Sequence, residues 1–265
     1  MSIELKKYQK NAADFISRNI RDNLWTTKKR NEYESNILKA VTGAGKTVIL
    51  SEIINQIDAE EKEDYCIFWL SSLPEVNEQS RLKIEKYNSH LSNKLVTLDS
   101  SNYLNGLKPQ HIYFLNYSKL SETSNMNKGG ADSNNISFWE LPFNKMKIVF
   151  IIDEAHIGSS QSAQAAKANK TILNKLIEKV KPKFVVGASA TPEDFKSFIE
   201  GINIQVTSNT IVNYKAEIYA VPISEVCDSG MIKSELTNVS FKVQSSINNS
   251  FNVPLFLDAL KKYEE

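Results

Sequence analysis

The chain has 265 residues, 41% of them hydrophobic and 24% charged, and a formal net charge of +1. This is the composition of an ordinary globular protein, and its near-neutral charge excludes one that coats nucleic acid through bulk basicity. Any nucleic-acid contact must then be local, made by loops on one face. No run approaches about 18 uninterrupted apolar residues, so no membrane span is expected. The opening MSIELKKYQK has neither the apolar stretch nor the cleavage site of a secretory leader. Cys66 and Cys227 are the only cysteines and stand far apart, which fits a reducing cytoplasm. Three scattered histidines do not make a zinc site.

Leu5, Tyr8, Ala12, Phe15, Ile16 and Ile20 recur at helical spacing and predict an amphipathic helix over 5–22. Residues 23–34 read as a polar, basic loop. The apolar run 37–41 then enters TGAGKT, which predicts a strand, a glycine-rich turn and a helix over about 46–57. Strands are expected at 66–70, 94–99, 111–116, 147–153 and 183–189, with helices over 74–88 and 161–180. The runs at 147–153 and 183–189 are apolar throughout, as in strands buried on both faces. Such alternation predicts a parallel α/β sheet flanked by helices. The polar stretch 121–137, with Gly129-Gly130 inside it, reads as a surface loop or insertion, and Phe138-Trp139 as its return to the core. After about 213 the pattern restarts at 215–222, and a final helix-like segment covers 254–265.

Three motifs carry chemistry. Ala40–Thr47 fits the phosphate-loop pattern with Ala in place of the leading Gly. Thr42, Gly43, Ala44 and Gly45 would curl backbone N–H groups around phosphate oxygens, with no Cβ at the glycines to block the approach. Lys46 would reach the β- and γ-phosphates of ATP. Thr47 would offer its hydroxyl to Mg²⁺, and the following helix would point its N-terminus at the anion. The second motif, Asp153-Glu154-Ala155-His156, follows a buried strand. Carboxylates at a strand's C-terminal end face the ligand crevice of an open α/β sheet. Asp153 suits a partner of Mg²⁺ and Glu154 a general base for water, although an acidic helix cap would look similar in isolation. The third, Ser189-Ala190-Thr191-Pro192, ends another buried strand. Alone it reads as a helix cap; one helix and one strand after DEAH, its hydroxyls suit contact with a neighbouring carboxylate or imidazole.

The order LKKYQ, AVTGAGKT, DEAH and SAT resembles superfamily 2 helicases and translocases, over residues 5–215. The resemblance implies a RecA-like fold that pairs with a second RecA-like domain around ATP. It implies that Gln9 reads the adenine and that His156 couples hydrolysis to Ser189 or Thr191. It also places nucleic-acid contacts in the loops 70–79 and 114–120, with Ser72, Pro74, Asn116 and Ser118 as candidates. Within the superfamily the opening LKKYQKNAADFI, the NYSKL loop with its polar insertion, and PISEVCDSGMIK (222–233) are most similar to the motor subunits of type III restriction enzymes. DNA is accordingly expected over RNA.

The division expected is a RecA-like domain over 1–213, then a linker and the incomplete start of a second domain, or an appendage, over 214–265. No arginine follows residue 192, so an arginine reaching across to the γ-phosphate would have to come from a second domain, in the full-length chain or in another subunit. The expectation is a fragment, or a subunit completed by another chain, that binds ATP and hydrolyses it slowly. Two other readings are a nucleotide-dependent interaction module without motor work and a P-loop enzyme that does not touch nucleic acid.

Overall fold

The computed structural model describes residues 4–26, 32–129, 136–153, 155 and 163–232, with backbone alone at 163–166. By contacts the chain divides into Met1–Ile232 and Lys233–Glu265. The helix expected over 254–265 belongs to the second unit and lies outside the described residues.

Helix α1 (Lys7–Trp25) buries Tyr8, Ala12, Ala13, Ile16, Ile20 and Leu24 along one face, the stripe that its sequence predicts. It starts three residues after Glu4 because Lys6 is its N-cap, and the Lys6 N–H donates to Gln9 Oε1 at 3.0 Å. Strand β1 (Glu34–Lys39) leads through the glycine turn into α2 (Lys46–Asp58). Then follow β2 (Tyr65–Ser71), α3 (Pro74–Tyr87), β3 (Leu95–Leu98), β4 (Ile112–Asn116), the short α4 (Asn125–Lys128) and β5 (Lys147–Ile152). The chain continues with α5 (Ala163–Val180), β6 (Phe184–Ser189), α6 (Glu193–Glu200), β7 (Asn203–Thr207), β8 (Thr210–Asn213), β9 (Lys215–Ala220) and α7 (Ile223–Asp228).

Seven strands form one sheet in the order β3-β4-β2-β5-β6-β1-β9. Every ladder in it is parallel. Because side chains alternate across a strand, the sheet feeds two cores. Leu38, Trp69, Ile151 and Val186 join α1 and α2 on one face, whereas Ile37, Phe68, Phe150 and Val185 join α5 and α6 on the other. Burial on both faces explains the unbroken apolar runs.

Four details depart from the sequence reading. β1 begins at Glu34, inside the expected loop, and ends at Lys39, so Ala40 and Val41 already belong to the turn. Its polar residues Ser35 and Asn36 are buried, and Asn36 Oδ1 accepts from Asn19 Nδ2 at 3.0 Å. A side-chain partner on α1 thus permits a polar start to an interior strand. The polar stretch after 121 is not wholly loop: α4 forms with Ser124 as its cap and buries Met126. An antiparallel pair, β7–β8, lies between α6 and β9 and has no counterpart in the expected pattern. Residues 215–220, expected in the segment after the first domain, pair with β1 in the main sheet.

Gly187 sits where α6 crosses β6. A Cβ there would lie 2.3 Å from Cε1 of Phe195, whose ring is fully buried and has no room to retreat. Gly187→Ala should therefore cost about 1–3 kcal/mol, as overpacked cores do. In urea unfolding its midpoint should fall, and Phe195→Leu in the same background should recover part of the loss. An additive double mutant would show that the two positions do not collide.

Cys66 is buried within β2, and burial pushes its thiol up to about 12. Since only the thiolate reacts, Cys66 should be inert at pH 8 while the half-buried Cys227 reacts. A thiol-exchange dye should count one thiol in the native chain and two in denaturant.

Candidate functional site

The parallel register brings the three motifs to one edge. Lys39 lies opposite Ser189, Ile152 opposite Gly187, Leu70 opposite Ile152, and Ser71 opposite Asn116. Each expected motif starts within one or two residues of these strand ends. They therefore share the C-terminal edge of the sheet, where ligands of open α/β folds bind.

The turn between β1 and α2 holds two glycines at positive φ, Gly43 at 88° and Gly45 at 79°. Gly45 is the N-cap of α2, and no side chain caps that helix start. Its carbonyl accepts from Val48 and Ile49, closing the first turn, and the Ala44 N–H donates to Val41 O at 3.2 Å. Lys46 is buried to 9% exposure at this helix start, while Thr42 and Gly43 are exposed and Thr47 is half-buried. An uncapped helix N-terminus under a glycine turn is an anion cradle.

Helix α1 holds the cradle from behind. Both the Tyr8 hydroxyl and Gln9 Nε2 donate to the Ala44 carbonyl, at 2.9 and 3.2 Å. Gln9 is buried to 3% exposure, and a Cβ built on Gly45 would stand 2.6 Å from its Nε2. Burial raises the Tyr8 phenol above its ordinary range, so it stays a donor at neutral pH. In the sequence Gln9 is singled out only through the resemblance. The role of Tyr8 is not legible there, because its spacing marks it simply as a core position.

Asp153 is buried at the end of β5 and accepts from Ser80 of α3 at 3.4 Å; its N–H donates to Leu70 O. Glu154 and His156 lie outside the described residues. Ala155, between them, donates its N–H to Ala188 O at 2.8 Å. Ser189 is fully buried, and its Oγ accepts from Thr191 N at 3.0 Å, so it caps its own turn. The Ser189 carbonyl accepts from Ala40 N at 3.2 Å.

The nucleic-acid candidates fall on the same edge. Ser72 is half-buried after β2, and Pro74 is exposed at the first turn of α3. Asn116 is buried at the end of β4, where its Oδ1 caps Ser118 through both N–H and Oγ, at 2.9 and 2.6 Å. Asn116 is thus a cap in this fold, and Ser118 is the more accessible of the two. Burial raises the Tyr117 phenol and the nearby Ser72 side chain partly offsets this, so the two loops are neighbours.

A cavity of about 550 Å³ lies at the other end of the sheet, beside the starts of β1 and β5 and lined by Lys145, Lys147, Lys179, Lys181 and Lys183. It contains none of the expected site residues. Among the described residues no helix is long and apolar enough to cross a membrane, and no group of three His, Cys, Asp or Glu side chains gathers for a metal. A phosphate-loop magnesium needs no such group, since it takes one or two carboxylates plus phosphate oxygens and water.

The chain is similar to several solved structures. A nuclease-deletion mutant of the type ISP restriction-modification enzyme LlaGI, in complex with a DNA substrate mimic, is 12% identical with a TM-score of 0.50. That match covers 86% of this chain and 21% of the other. A hypothetical ATP-dependent RNA helicase from Sulfolobus tokodaii is 14% identical over 82% of this chain and 53% of that one, with a TM-score of 0.49. A DEAD box protein from Methanococcus jannaschii is 19% identical over 84% and 55%, with a TM-score of 0.44. Identities this low speak for fold alone, a RecA-like one. The chain spans about half the length, or less, of these three proteins. No curated protein matches its sequence. The family model for the type III restriction enzyme res subunit, ResIII, matches residues 2–194, and the chain belongs to that family.

Proposed function

We propose that this chain is the ATP-binding motor domain of a DNA helicase or translocase of the restriction or phage-defence type, which couples ATP hydrolysis to movement on nucleic acid. The observation that carries the reading is the uncapped start of α2 beneath Gly43 and Gly45, on the same sheet edge as Asp153 and Ser189. That cradle fits a nucleotide's phosphates, because a Cβ on either glycine would meet a neighbour. In this reading Thr42–Gly45 wrap the phosphates and Lys46 neutralises them. Thr47 and Asp153 would hold Mg²⁺, which would supply positive charge against the negative phosphate oxygens. Glu154 orients the attacking water, His156 relays the outcome to Ser189 and Thr191, and Gln9 reads the adenine. Ser72, Pro74, Asn116 and Ser118 lie on the side that meets the nucleic-acid backbone, where hydroxyls and amides hold phosphates without selecting sequence.

The proposal includes a second RecA-like domain, in the full-length chain or another subunit, that supplies an arginine to the γ-phosphate. The first unit is then a binding half, with slow turnover alone. The absence of arginine after residue 192 supports this, and it also favours a second reading in which the chain docks partners in an ATP-dependent way without motor work. Turnover of this chain and of its full-length gene product, measured with and without duplex DNA and RNA, separates the readings. DNA should stimulate the full-length protein, and the isolated chain should turn over far below about 10 s⁻¹, a common value for complete enzymes. Binding without turnover in either protein supports the docking reading, and stimulation by RNA alone overturns the choice of DNA.

Gly45→Ala tests the cradle directly. At φ 79° an alanine is strained, and its methyl would strike Gln9. ATP affinity should fall by roughly tenfold or more, as expected when a backbone donor to a charged group is pushed out of line. The far-UV circular dichroism should not change. Unaltered ATP affinity would show that the phosphates bind elsewhere.

A further inference from the structure

The end of the first unit returns to the phosphate loop. After β9, Val221 and Val226 enter the same core as Tyr8 and Ala44, and Tyr219 packs on Phe15 of α1 with ring centroids 5.0 Å apart. Helix α7 then stops in a tight turn. Gly230, at φ 73°, donates to Cys227 O at 2.9 Å, and Met231 N donates to Val226 O at 3.3 Å. This pair of bonds around a left-handed glycine is a Schellman motif, which fixes the direction of the residue that follows. The Ser229 side chain meets the Tyr8 hydroxyl, which itself holds Ala44.

The turn aims two apolar side chains at the cradle. Met231 Cε lies 3.8 Å from the place a Cβ on Gly45 would occupy, beside Gln9 Nε2 at 2.6 Å from that same point. Ile232 Cγ2 lies 3.1 Å from the corresponding point on Gly43. Met231 nevertheless keeps 39% of its surface exposed. A large apolar side chain on a fixed backbone turn, left open to water and set beside a buried amide, has the makeup of a small-molecule pocket wall. Gln9 offers direction, since an amide both donates and accepts. Methionine offers a polarisable surface that packs on any aromatic ring.

We infer that Met231 is the apolar wall against which the nucleotide's purine base packs, across from Gln9, so that the segment after α7 completes the base subsite. The inference rests on the phosphate-cradle reading above. The base and phosphate parts of the ligand then depend on different residues: Lys46 and the glycines hold phosphate, and Met231 holds only the base. Because Met231 contacts have no hydrogen-bond direction, its contribution is the same for adenine and guanine.

The test compares ATP, GTP and inorganic tripolyphosphate binding to the 265-residue chain by calorimetry, for the wild type, Met231→Ala, Met231→Leu and Lys46→Ala. Met231→Ala should weaken ATP and GTP alike by roughly three- to tenfold, as for losing about one or two buried methylene groups. It should leave tripolyphosphate unchanged, and Met231→Leu should restore most of the loss. Lys46→Ala should weaken all three ligands. Equal weakening of tripolyphosphate in Met231→Ala would mean that the residue merely props the glycine turn, and the inference fails. Unchanged ATP affinity in that variant, with Lys46→Ala impaired, also overturns it while leaving the phosphate cradle intact. A wild type that binds none of the three ligands overturns the cradle reading itself, and the base wall with it.

Discussion

Parallel pairing of β2, β5, β6 and β1 is the constraint from which the candidate site follows. In a parallel sheet every strand runs the same way, so every strand ends on the same edge. Residues 39, 71, 152 and 189 are far apart in the chain, yet the ladder register sets them side by side. The loops that leave those ends are short at β1 and β6, and they have nowhere to go but over that edge. A single reversed strand in the centre would send one motif to the opposite side, about 20 Å away for a strand of six residues. The burial of β2 and β6 along their whole lengths enforces the arrangement, because an interior strand shifted by one residue would exchange the side chains of the two cores.

The glycine turn is free to bind because something else holds it. A loop with two left-handed residues is costly to order, and no side chain caps α2 to steady it. The steadying comes from α1, through two donors on one carbonyl, Tyr8 and Gln9 on Ala44. Within the loop, the Ala44 N–H also donates to Val41 O, so this residue is held on both its carbonyl and its amide. Gln9 also receives the Lys6 N–H on its Oε1, so the amide is oriented before any ligand arrives. Preorganisation of this kind lowers the ordering cost that binding must meet.

The elements were legible in the sequence wherever burial was two-sided or the helix stripe was clean. Strands β5 and β6 and helices α1 and α2 read directly as apolar runs or 3.6-residue stripes. What failed did so for local reasons. The start of β1 is polar, and only the partner on α1, Asn19, makes Asn36 acceptable inside. The hairpin β7–β8 is short, and only Ile204 of its strands is fully buried, so its sequence has no alternation to read. Helix α4 is four residues long and buries one side chain, Met126. At the site, Gly43, Gly45 and Lys46 were legible because their chemistry needs those residue types. Tyr8 and Met231 were not, because a tyrosine at a core position or an apolar residue after a glycine carries no signal until the fold brings it beside the turn.

Strand β6 deserves its central place for a backbone reason. It lies between β5 and β1, and its last two carbonyls each accept one bond from a neighbouring motif. Ala188 O receives Ala155 N from the DEAH stretch, and Ser189 O receives Ala40 N from the start of the glycine turn. The Ser189 hydroxyl is fully buried and accepts from Thr191 N, which closes its own turn. Among the described residues, the peptide backbone at the end of β6 links the two halves of the proposed nucleotide site, and the Ser189 hydroxyl shapes that backbone. Gly187, two residues earlier, lets Phe195 of α6 pack hard against the same strand. A displacement of either loop must stretch a hydrogen bond to β6 or carry its end along, and α6 is seated where it would feel the second.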